Sequence, residues 1–473
     1  MDGFIGRKRE IAQLLALLAR VVDGGRTGRP GKAVLIRGRR RVGKSRLIEE
    51  FLQRAEVPAL FFTASAQPSV ERDLRLFTEA VEASDLPAAG VFHGQSPADW
   101  DAALSLLAKA LPADRPSVLV LDEVPYLIAA DPGFEGTLQK LFDREFAKLP
   151  VLLVLIGSDL AMMEKLNTYG RPFYQRGTEM VVPPLTPADV AGMVDLEPAD
   201  AFDAFLVSGG MPMILEEWPR GASVRDYLAD AVPDPTSALW VTGERTLAAE
   251  FPPHAQARAV LGAIGSGERT YALIGRDAGN LPQASLTRAL EVLADKRMIE
   301  TALPLSVRPS KERRYAIADA HLRFWLAFLG PNFPLVERGR GDLVLARIDA
   351  GWQAWRGRAV EPVLRDALWR LSTELLPQGT DVVGSYWTRT NDPEIDLVGA
   401  DRAPTAHRIT ALGSIKWQEK RPFDGHDLAR LHVHRSRMPG ADETTPLLAV
   451  SRSGVRAAGV TAIGPADLLA AWR

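Results

Sequence analysis

The stretch Gly38-Arg39-Arg40-Arg41-Val42-Gly43-Lys44-Ser45 fits the phosphate-binding loop pattern G-x-x-x-x-G-K-[ST] at every position. The apolar run Ala33–Ile36 before it predicts a buried strand, and the residues that follow, up to Arg54, predict an amphipathic helix. In this context consecutive backbone N–H groups and the helix N-terminus attract phosphate oxygens. Lys44 is expected to reach the β- and γ-phosphates, and the Ser45 hydroxyl is expected to bind Mg²⁺. The loop therefore predicts binding of a nucleoside triphosphate with Mg²⁺.

Two further apolar runs end in polar residues. Val118–Leu121 is typical of a parallel strand buried on both faces, and Asp122 and Glu123 follow it. Acids at the carboxyl end of such a strand lie in the crevice where α/β sheets bind ligands. We predict that Asp122 holds Mg²⁺ and that Glu123 orients and deprotonates the attacking water, which makes the chain an ATPase. The third run, Val151–Ile156, leads to Ser158, a candidate contact to the γ-phosphate or to that water.

Composition limits the class of protein. A chain of 473 residues is too long for one core, so we expect two to four domains. The chain has no cysteine, which excludes disulfides and thiolate metal sites. It also lacks an apolar stretch long enough to span a membrane, and its first residues lack the order of a signal peptide. We therefore expect a cytoplasmic protein with no membrane partner.

The net charge of −2 means that any nucleic-acid binding must come from local basic patches. One patch, Arg37 to Arg46, surrounds the phosphate-binding loop, and we assign it to the nucleotide site or to a contact between subunits of a homo-oligomer. Its members besides the lysine are Arg37, Arg39, Arg40, Arg41 and Arg46.

The second basic patch lies in residues 256–320, whose pattern predicts three helices followed by a β-hairpin. That order is typical of a winged helix, in which the third helix reads DNA and the hairpin turn forms the wing. The candidate DNA-binding residues are Arg288 and Lys296 on the third helix and Arg308, Lys311, Arg313 and Arg314 in the wing. The alternative is a module that only packs against the rest of the protein, because the third helix exposes few basic residues.

The fold class that follows is α/β. Strand and helix patterns alternate from residue 33 to about 183, which predicts a P-loop NTPase with a parallel sheet and helices on both faces. We divide the chain into a P-loop ATPase core (1–185), a helical lid (186–250), a winged helix (251–330) and a second, smaller α/β domain (331–473). Glycines and prolines at residues 330–342 predict a linker before that last domain.

Several motifs together resemble those of the prokaryotic STAND or archaeal-type ATPases, a branch of the AAA+-like P-loop ATPases. In chain order they are Phe4–Glu10, the phosphate-binding loop, Asp122-Glu123, Gly157-Ser158, Pro172–Arg176, Gly209–Pro212, Tyr315–Asp319 and Phe324-Trp325. The resemblance covers nearly the whole length.

The resemblance implies roles for single residues around the nucleotide. Gly6 and Arg7 are expected at the adenine edge, Ser158 is expected to be the polar sensor, and Pro212 is expected to approach the nucleotide from the lid. Arg176 is implied to be an arginine finger, acting in cis or on a neighbouring subunit, although Gln175 replaces the glycine of the family's Gly-Arg step.

The resemblance also implies that the C-terminal domain is similar to PD-(D/E)XK nucleases and has a restriction-endonuclease-like fold. Asp396 occupies the first acid position and Lys416 the lysine position of that motif, while Glu361 is a candidate auxiliary metal ligand. Ser414 stands where the second acid is expected. With one strong metal ligand missing, we expect weak or absent cleavage. Three histidines nearby, His426, His432 and His434, are predicted to be surface residues and not a metal site.

We therefore predict a cytoplasmic protein that binds ATP, hydrolyses it slowly and uses the cycle as a conformational switch. Its output is expected to pass through the winged helix and the degenerate nuclease-like domain to DNA. Two alternatives remain open: an ATP-dependent DNA nuclease, and a protein-interaction switch that contacts no nucleic acid. The site of Asp396, Ser414 and Lys416 distinguishes the nuclease from the ATP-driven switch. The wing arginines distinguish the protein-interaction switch from a protein that binds DNA.

Overall fold

A computed structural model describes residues 4–23, 30–66, 69–251, 255–265, 267 and 269–473. The chain divides into two compact units, residues 1–184 and 185–473. The first unit corresponds to the predicted ATPase core. The regions predicted as lid, winged helix and C-terminal domain all belong to the second unit. No helix among the described residues is long and apolar enough to cross a membrane.

The first unit contains one five-stranded sheet in which every neighbouring pair is parallel, with the strand order β2-β3-β4-β1-β5. This is the sheet of a P-loop NTPase, and it confirms the predicted fold class. Every residue of β3 and β4 is buried, which explains their uninterrupted apolar sequences. The strands are β1 (Lys32–Arg37), β2 (Ala59–Thr63), β3 (Ser117–Asp122), β4 (Val151–Gly157) and β5 (Gly177–Val181).

Helices cover this sheet. An aromatic cluster forms the centre of the packing, where the ring of Trp100 meets those of Phe77 and Phe134 edge to face at centroid distances of 5.4 and 5.2 Å. The helices of the unit are α1 (Lys8–Asp23), α2 (Lys44–Ala55), α3 (Val70–Glu82), α4 (Trp100–Ala110), α5 (Val124–Ala130), α6 (Phe134–Arg144) and α7 (Leu160–Leu166).

The second unit begins with five helices. Thr186 caps the first of them by accepting a hydrogen bond from the backbone N–H of Asp189 (3.2 Å), and Pro187 is the first helical residue. The Gly209–Pro212 motif lies between the second and third helices, where a Cβ on Gly210 would approach the Leu185 carbonyl oxygen to 2.0 Å. The helices are α8 (Pro187–Val194), α9 (Pro198–Ser208), α10 (Pro212–Glu216), α11 (Val224–Ala231) and α12 (Ala238–Glu250).

Three helices and a small antiparallel sheet follow, with the sheet order β6-β8-β7. The side chains of Leu286, Leu290 and Leu293 are buried and form the inward face of the third helix. Strand β6 was not predicted because two residues carry no periodic signal. The elements are α13 (Gln256–Ile264), β6 (Arg269–Thr270), α14 (Tyr271–Asp277), α15 (Gln283–Asp295), β7 (Ile299–Ala302) and β8 (Arg314–Ile317).

The prediction of a linker at residues 330–342 is wrong. These residues form a 3-10 turn and a helix, and Val336 and Gly341 among them are buried. Their glycines and prolines serve packing and helix starts instead of a flexible connection. The helices of this region are α16 (Ala320–Phe324), a π-helical stretch (Trp325–Leu329), α17 (Phe333–Glu337), α18 (Gly341–Ala359), α19 (Glu361–Arg370) and α20 (Ser372–Leu375).

The chain ends in a separate mixed sheet with the order β13-β12-β11-β10-β9. Strand β10 pairs antiparallel with β9 and β11, while β12 pairs parallel with β11 and β13. Helix α21 lies in the crossover between β11 and β12. The elements are β9 (Val382–Trp387), β10 (Glu394–Ala400), β11 (Ile409–Lys416), α21 (Gly425–Arg437), β12 (Leu447–Ser451), β13 (Thr461–Ile463) and α22 (Pro465–Leu469).

Candidate nucleotide site and nuclease-like site

The phosphate-binding loop connects β1 to α2, and its shape depends on two glycines. Gly43 adopts the left-handed conformation (φ 86°) at the start of α2. A Cβ on Gly38 would approach the Val182 carbonyl oxygen to 2.5 Å, so no side chain fits there. Arg41 also has a positive φ of 67°, a conformation that costs free energy for a non-glycine residue and is frequent at ligand sites.

Lys44 is buried beneath this loop. Its ammonium group donates hydrogen bonds to the carbonyl oxygens of Gly38 (2.9 Å) and Arg39 (3.0 Å). Burial lowers the pKa of Lys44 to about 8, and the nearby carboxylates of Glu123 and Asp122 partly oppose that shift. The group is therefore mostly charged at neutral pH.

Ser45 and Asp122 lie side by side at the ends of α2 and β3. The Ser45 hydroxyl donates a hydrogen bond to one Asp122 carboxylate oxygen (2.9 Å), and the backbone N–H of Glu123 donates to the other (2.9 Å). Burial raises the pKa of Asp122, and the hydrogen bond from Ser45 opposes this. A hydroxyl and a carboxylate at this distance are the hard oxygen donors that Mg²⁺ prefers, so the residues present fit the ion.

Glu123 and Ser158 meet across the neighbouring strand ends. The Ser158 hydroxyl donates to one Glu123 carboxylate oxygen (2.5 Å), and the Ser158 backbone N–H donates to the other (3.3 Å). The structure thus brings together Lys44, Ser45, Asp122, Glu123 and Ser158, which the sequence predicted separately. Ser158 fixes the direction of the Glu123 carboxylate.

The predicted residues that flank the loop have defined contacts. Arg7 is buried and donates to the Val42 carbonyl oxygen (2.8 Å), so the Gly6-Arg7 step braces the loop. Arg40 donates to the hydroxyl of Tyr126 (2.8 Å), a residue that the sequence analysis did not single out. Arg46 points to solvent and pairs with Glu49 (3.2 Å). The lid residue Pro212 is the first residue of α10 in the second unit, and its implied role at the nucleotide stays a prediction.

The predicted arginine finger, Arg176, is engaged elsewhere. Its guanidinium binds both oxygens of Asp143 (2.9 to 3.0 Å) and donates to the Pro172 carbonyl oxygen (2.8 Å). These contacts hold the loop that carries it, so the geometry does not support a finger role. A Gly-Arg pair, Gly170-Arg171, lies five residues earlier in the same loop, and the sequence analysis did not single it out.

Arg171 is also held by an acid. It forms an ion pair with Glu135, whose carboxylate is buried. Burial raises the pKa of Glu135, and the charge of Arg171 lowers it. The loop therefore has two arginines, and each has its own carboxylate partner.

The residues of the predicted nuclease-like site form hydrogen bonds and ion pairs with neighbouring groups of the same domain. Asp396 accepts hydrogen bonds from the Ser414 hydroxyl (3.0 Å) and the Ile415 backbone N–H (2.9 Å). Desolvation raises the pKa of Asp396, and these two hydrogen bonds oppose the shift. Lys416 forms an ion pair with Asp427 of α21 (2.6 Å), which the sequence analysis missed because it lies outside the motif.

The remaining acids near this site are paired as well. Glu361 pairs with Arg365 (3.2 Å), and Glu394 pairs with Arg314 (2.7 Å). In the part of the chain that the structure describes, no group of three or more histidine, aspartate or glutamate side chains is arranged to hold a metal ion. Asp396, Lys416 and Glu361 are thus each engaged by groups of the protein itself.

The candidate DNA-binding residues separate into two groups. Arg288, Arg308, Lys311 and Arg313 are exposed. Arg314 is not a surface wing residue, because its guanidinium lies 4.4 Å from the centroid of the Trp387 ring in addition to its pairing with Glu394. Lys296 is half-buried, with its ammonium 5.5 Å from the ring of Phe251.

Two protein families match parts of the chain. Residues 3–154 match the AAA ATPase domain, and this match contains the phosphate-binding loop, Asp122 and Glu123. Residues 325–427 match a family described as archaeal and bacterial proteins of unknown function. The chain is 24% identical to an uncharacterized protein of Methanocaldococcus jannaschii over 430 residues. This match covers 87% of this chain and 88% of the relative.

Two solved structures also match a large part of the chain. The Walker-type ATPase of Pyrococcus abyssi is 19% identical, with a TM-score of 0.47 over 68% of this chain and 96% of the other. The Aeropyrum pernix ORC2 protein, solved in ADPNP-ADP complexes, is 13% identical, with a TM-score of 0.46 over 74% of this chain and 98% of the other.

Proposed function

We propose that this chain, whose residues 3–154 match the AAA ATPase domain, is an archaeal-type AAA+ ATPase that works as a slowly hydrolysing switch and binds DNA through its second unit. The observation that carries the ATPase part is the convergence of two hydrogen-bonded pairs, Ser45 with Asp122 and Glu123 with Ser158, beside Lys44. The proposal assigns each of these residues one task.

Binding is the task of the loop, Lys44 and Ser45. The loop N–H groups and the ammonium of Lys44 attract the phosphates of ATP, and Ser45 and Asp122 would hold Mg²⁺. When bound, Mg²⁺ supplies positive charge that offsets the charge of the phosphate oxygens. Hydrolysis is the task of Glu123, which accepts a proton from the attacking water while Ser158 keeps its carboxylate in position.

Slow turnover is expected because the predicted finger is occupied. An arginine that reaches the transferred phosphoryl group is worth about 10³- to 10⁵-fold in rate. Arg176 is bound to Asp143 and to its own loop, and Arg171 is bound to Glu135. Neither is poised to supply that charge, so the site supports a switch better than a fast hydrolase.

The output part of the proposal is DNA binding without cleavage. The three helices and hairpin of residues 256–317 have the order of a winged helix, and Arg308, Lys311 and Arg313 of the turn are exposed. The C-terminal sheet supports a nuclease-like fold, but Asp396 is paired with Ser414 and Lys416 with Asp427. These contacts favour binding over the alternative of an ATP-dependent nuclease.

The test separates binding from turnover. Lys44→Ala is expected to abolish tight binding of a fluorescent ATP analogue, because the ammonium offsets ground-state phosphate charge. Glu123→Gln is expected to keep that binding and to lower phosphate release about 10²-fold or more, because it removes the general base. Equal phosphate release by Glu123→Gln and the unchanged protein contradicts the hydrolytic assignment.

A further inference from the structure

One side of α21 presents a row of three basic residues and one valine to solvent. His426, Arg430, Val433 and Arg437 are exposed and follow one another at helical spacings of four, three and four residues. At 1.5 Å per residue, the two arginines are separated by about 10 Å along the helix axis. The row therefore runs along nearly the full length of the helix.

The charge of this segment is one-sided. Residues 420–437 contain five lysines and arginines, three histidines and two aspartates. Both aspartates are occupied: Asp424 and Asp427 form the capping box of α21, and Asp427 also binds Lys416. The exposed side of α21 thus carries no carboxylate of its own.

The two arginines of the row are available to a ligand. Across the described residues, Arg430 has no carboxylate within ion-pair distance. Arg437 pairs with Asp392 (2.8 Å), but both side chains are mostly exposed, and such pairs contribute little and exchange readily. Arg435 is different, because it donates to the Thr445 carbonyl oxygen (3.1 Å) and contacts His432.

The position of α21 favours nucleic acid as the ligand. The helix borders the nuclease-like site, since its Asp427 binds Lys416 of β11. Two arginines in line suit a phosphate backbone, and the single apolar residue of the row, Val433, is too little for insertion into a membrane surface. We propose that the row formed by His426, Arg430 and Arg437 binds the phosphate backbone of DNA. This inference rests on the proposed function and assigns it a surface other than the wing.

The experiment is fluorescence anisotropy of labelled duplex and single-stranded 24-nucleotide DNA with the full chain, in 50 to 300 mM KCl. We expect the double variant Arg430→Gln with Arg437→Gln to weaken binding about one to two orders of magnitude at 0.1 M salt. The slope of log affinity against log salt should fall by about two, because two phosphate contacts are lost. Arg430→Lys with Arg437→Lys keeps the charge and should bind within about threefold of the unchanged protein.

Matched controls separate this surface from others. Arg220→Gln with Arg225→Gln removes the same charge from another exposed part of the second unit and is expected to change little. Equal loss in that control overturns the assignment, since net charge would then explain the effect. Loss in Arg308→Gln with Arg313→Gln but not in the α21 variant overturns it too, while the proposed function stands.

Two other outcomes also contradict the inference. If poly-L-glutamate displaces the DNA at equal charge concentration, the row is a site for acidic protein. If the unchanged protein binds neither DNA at 50 mM KCl, both this inference and the DNA part of the proposed function fail. Phosphate release then still tests the ATPase part.

Discussion

At the scale of single residues, Lys44 links burial to ligand binding. Enclosure under the phosphate-binding loop lowers the pKa of Lys44 to about 8, because desolvation disfavours the ammonium more than two nearby carboxylates favour it. The charged form is the one that attracts phosphates. The charge required for binding is consequently lost as the pH rises through the pKa of the free protein.

The first prediction is a pH dependence of ATP binding. Below pH 8 Lys44 is charged and affinity should be nearly constant, while above pH 8 the dissociation constant should rise up to about tenfold per pH unit. The phosphates of ATP do not explain such a change, because a phosphate monoester already ionises near pH 6. Titration of a fluorescent ATP analogue from pH 7 to 9.5 measures the effect.

Lys44→Arg is the matched control. Arginine stays charged throughout this range, so the variant should bind more weakly but without the pH slope. A slope that persists in Lys44→Arg assigns the titration to another group and contradicts the role of Lys44.

Residues of the nucleotide site were predictable because their signal is local. The spacing of Gly38, Gly43, Lys44 and Ser45 lies within one loop, and Glu123 directly follows an apolar strand. Their partners were less predictable. Asp143 lies 33 residues from Arg176, and nothing in the spacing connects the two before the chain has folded.

At the scale of elements, the loop between α7 and β5 is held by side chains that resemble catalytic residues. Arg176 binds Asp143 and the Pro172 carbonyl oxygen, and Arg171 binds Glu135. An arginine of this kind has a sequence signature close to that of an arginine finger. Only its partners tell the two roles apart.

The second prediction therefore concerns Arg176→Ala. We expect phosphate release within about threefold of the unchanged protein, and a melting temperature lower by about 2 to 4 °C, since a partly exposed ion pair is worth about 1 kcal/mol. Lys165→Ala, an exposed cation on α7, is the control and should change neither quantity. A loss of 10³-fold in release with unchanged melting would restore the finger role.

The C-terminal region was only partly predictable from the sequence. A second, smaller α/β domain was predicted here, and the resemblance placed Asp396 and Ser414 in one motif, which the structure puts on the adjacent strands β10 and β11. The helical start of this region was predicted as a linker instead, because glycine and proline also occur at helix starts and in close packing. Composition alone does not separate these uses.

The third prediction is that the full chain does not cut DNA. With Asp396 bound to Ser414 and Lys416 bound to Asp427, neither Mg²⁺ nor a water nucleophile has its usual ligands. When supercoiled plasmid is incubated with Mg²⁺ and ATP, the unchanged protein should produce no more nicks than the Asp396→Ala variant. Ser414→Glu restores a carboxylate and should raise Mg²⁺ affinity. Nicking that is present in the unchanged protein and absent in Asp396→Ala contradicts this prediction.

At the scale of the whole second unit, one ionic cluster joins regions that the sequence predicted as separate domains. Arg356 of α18 is buried and binds Asp203 of α9 (2.9 Å) and Glu419 beyond β11 (2.7 Å). Asp203 also accepts hydrogen bonds from Trp417 (3.1 Å) and Arg452 (3.0 Å). The predicted lid is therefore tied to the C-terminal sheet at the ends of β11 and β12.

The cluster explains why a four-domain division was a natural prediction. Its charged members are spread over about 250 positions, because Arg356 lies 153 positions and Arg452 lies 249 positions after Asp203. In the sequence each looks like an ordinary surface charge. A movement of the helices α8 and α9 that separates Asp203 from Arg356 would have to expose or strand a buried charge, so the cluster couples the lid to the C-terminal sheet.

The last prediction measures that coupling with Arg356→Ala. Removal of one partner from a buried ion pair costs about 3 to 5 kcal/mol, and we expect the lower end because Arg452 and Trp417 still contact Asp203. Since 1.4 kcal/mol is a factor of ten, amide hydrogens of α9 and β11 should exchange about 100-fold faster.

The exposed pair of Arg225 and Asp349 (3.2 Å) supplies the control, for Asp349 lies on the same helix as Arg356. Arg225→Ala should change exchange less than about fivefold, because exposed pairs contribute under about 1 kcal/mol. Faster exchange in α9 alone, with β11 unchanged, would show that the cluster stabilises one helix and does not join the two regions.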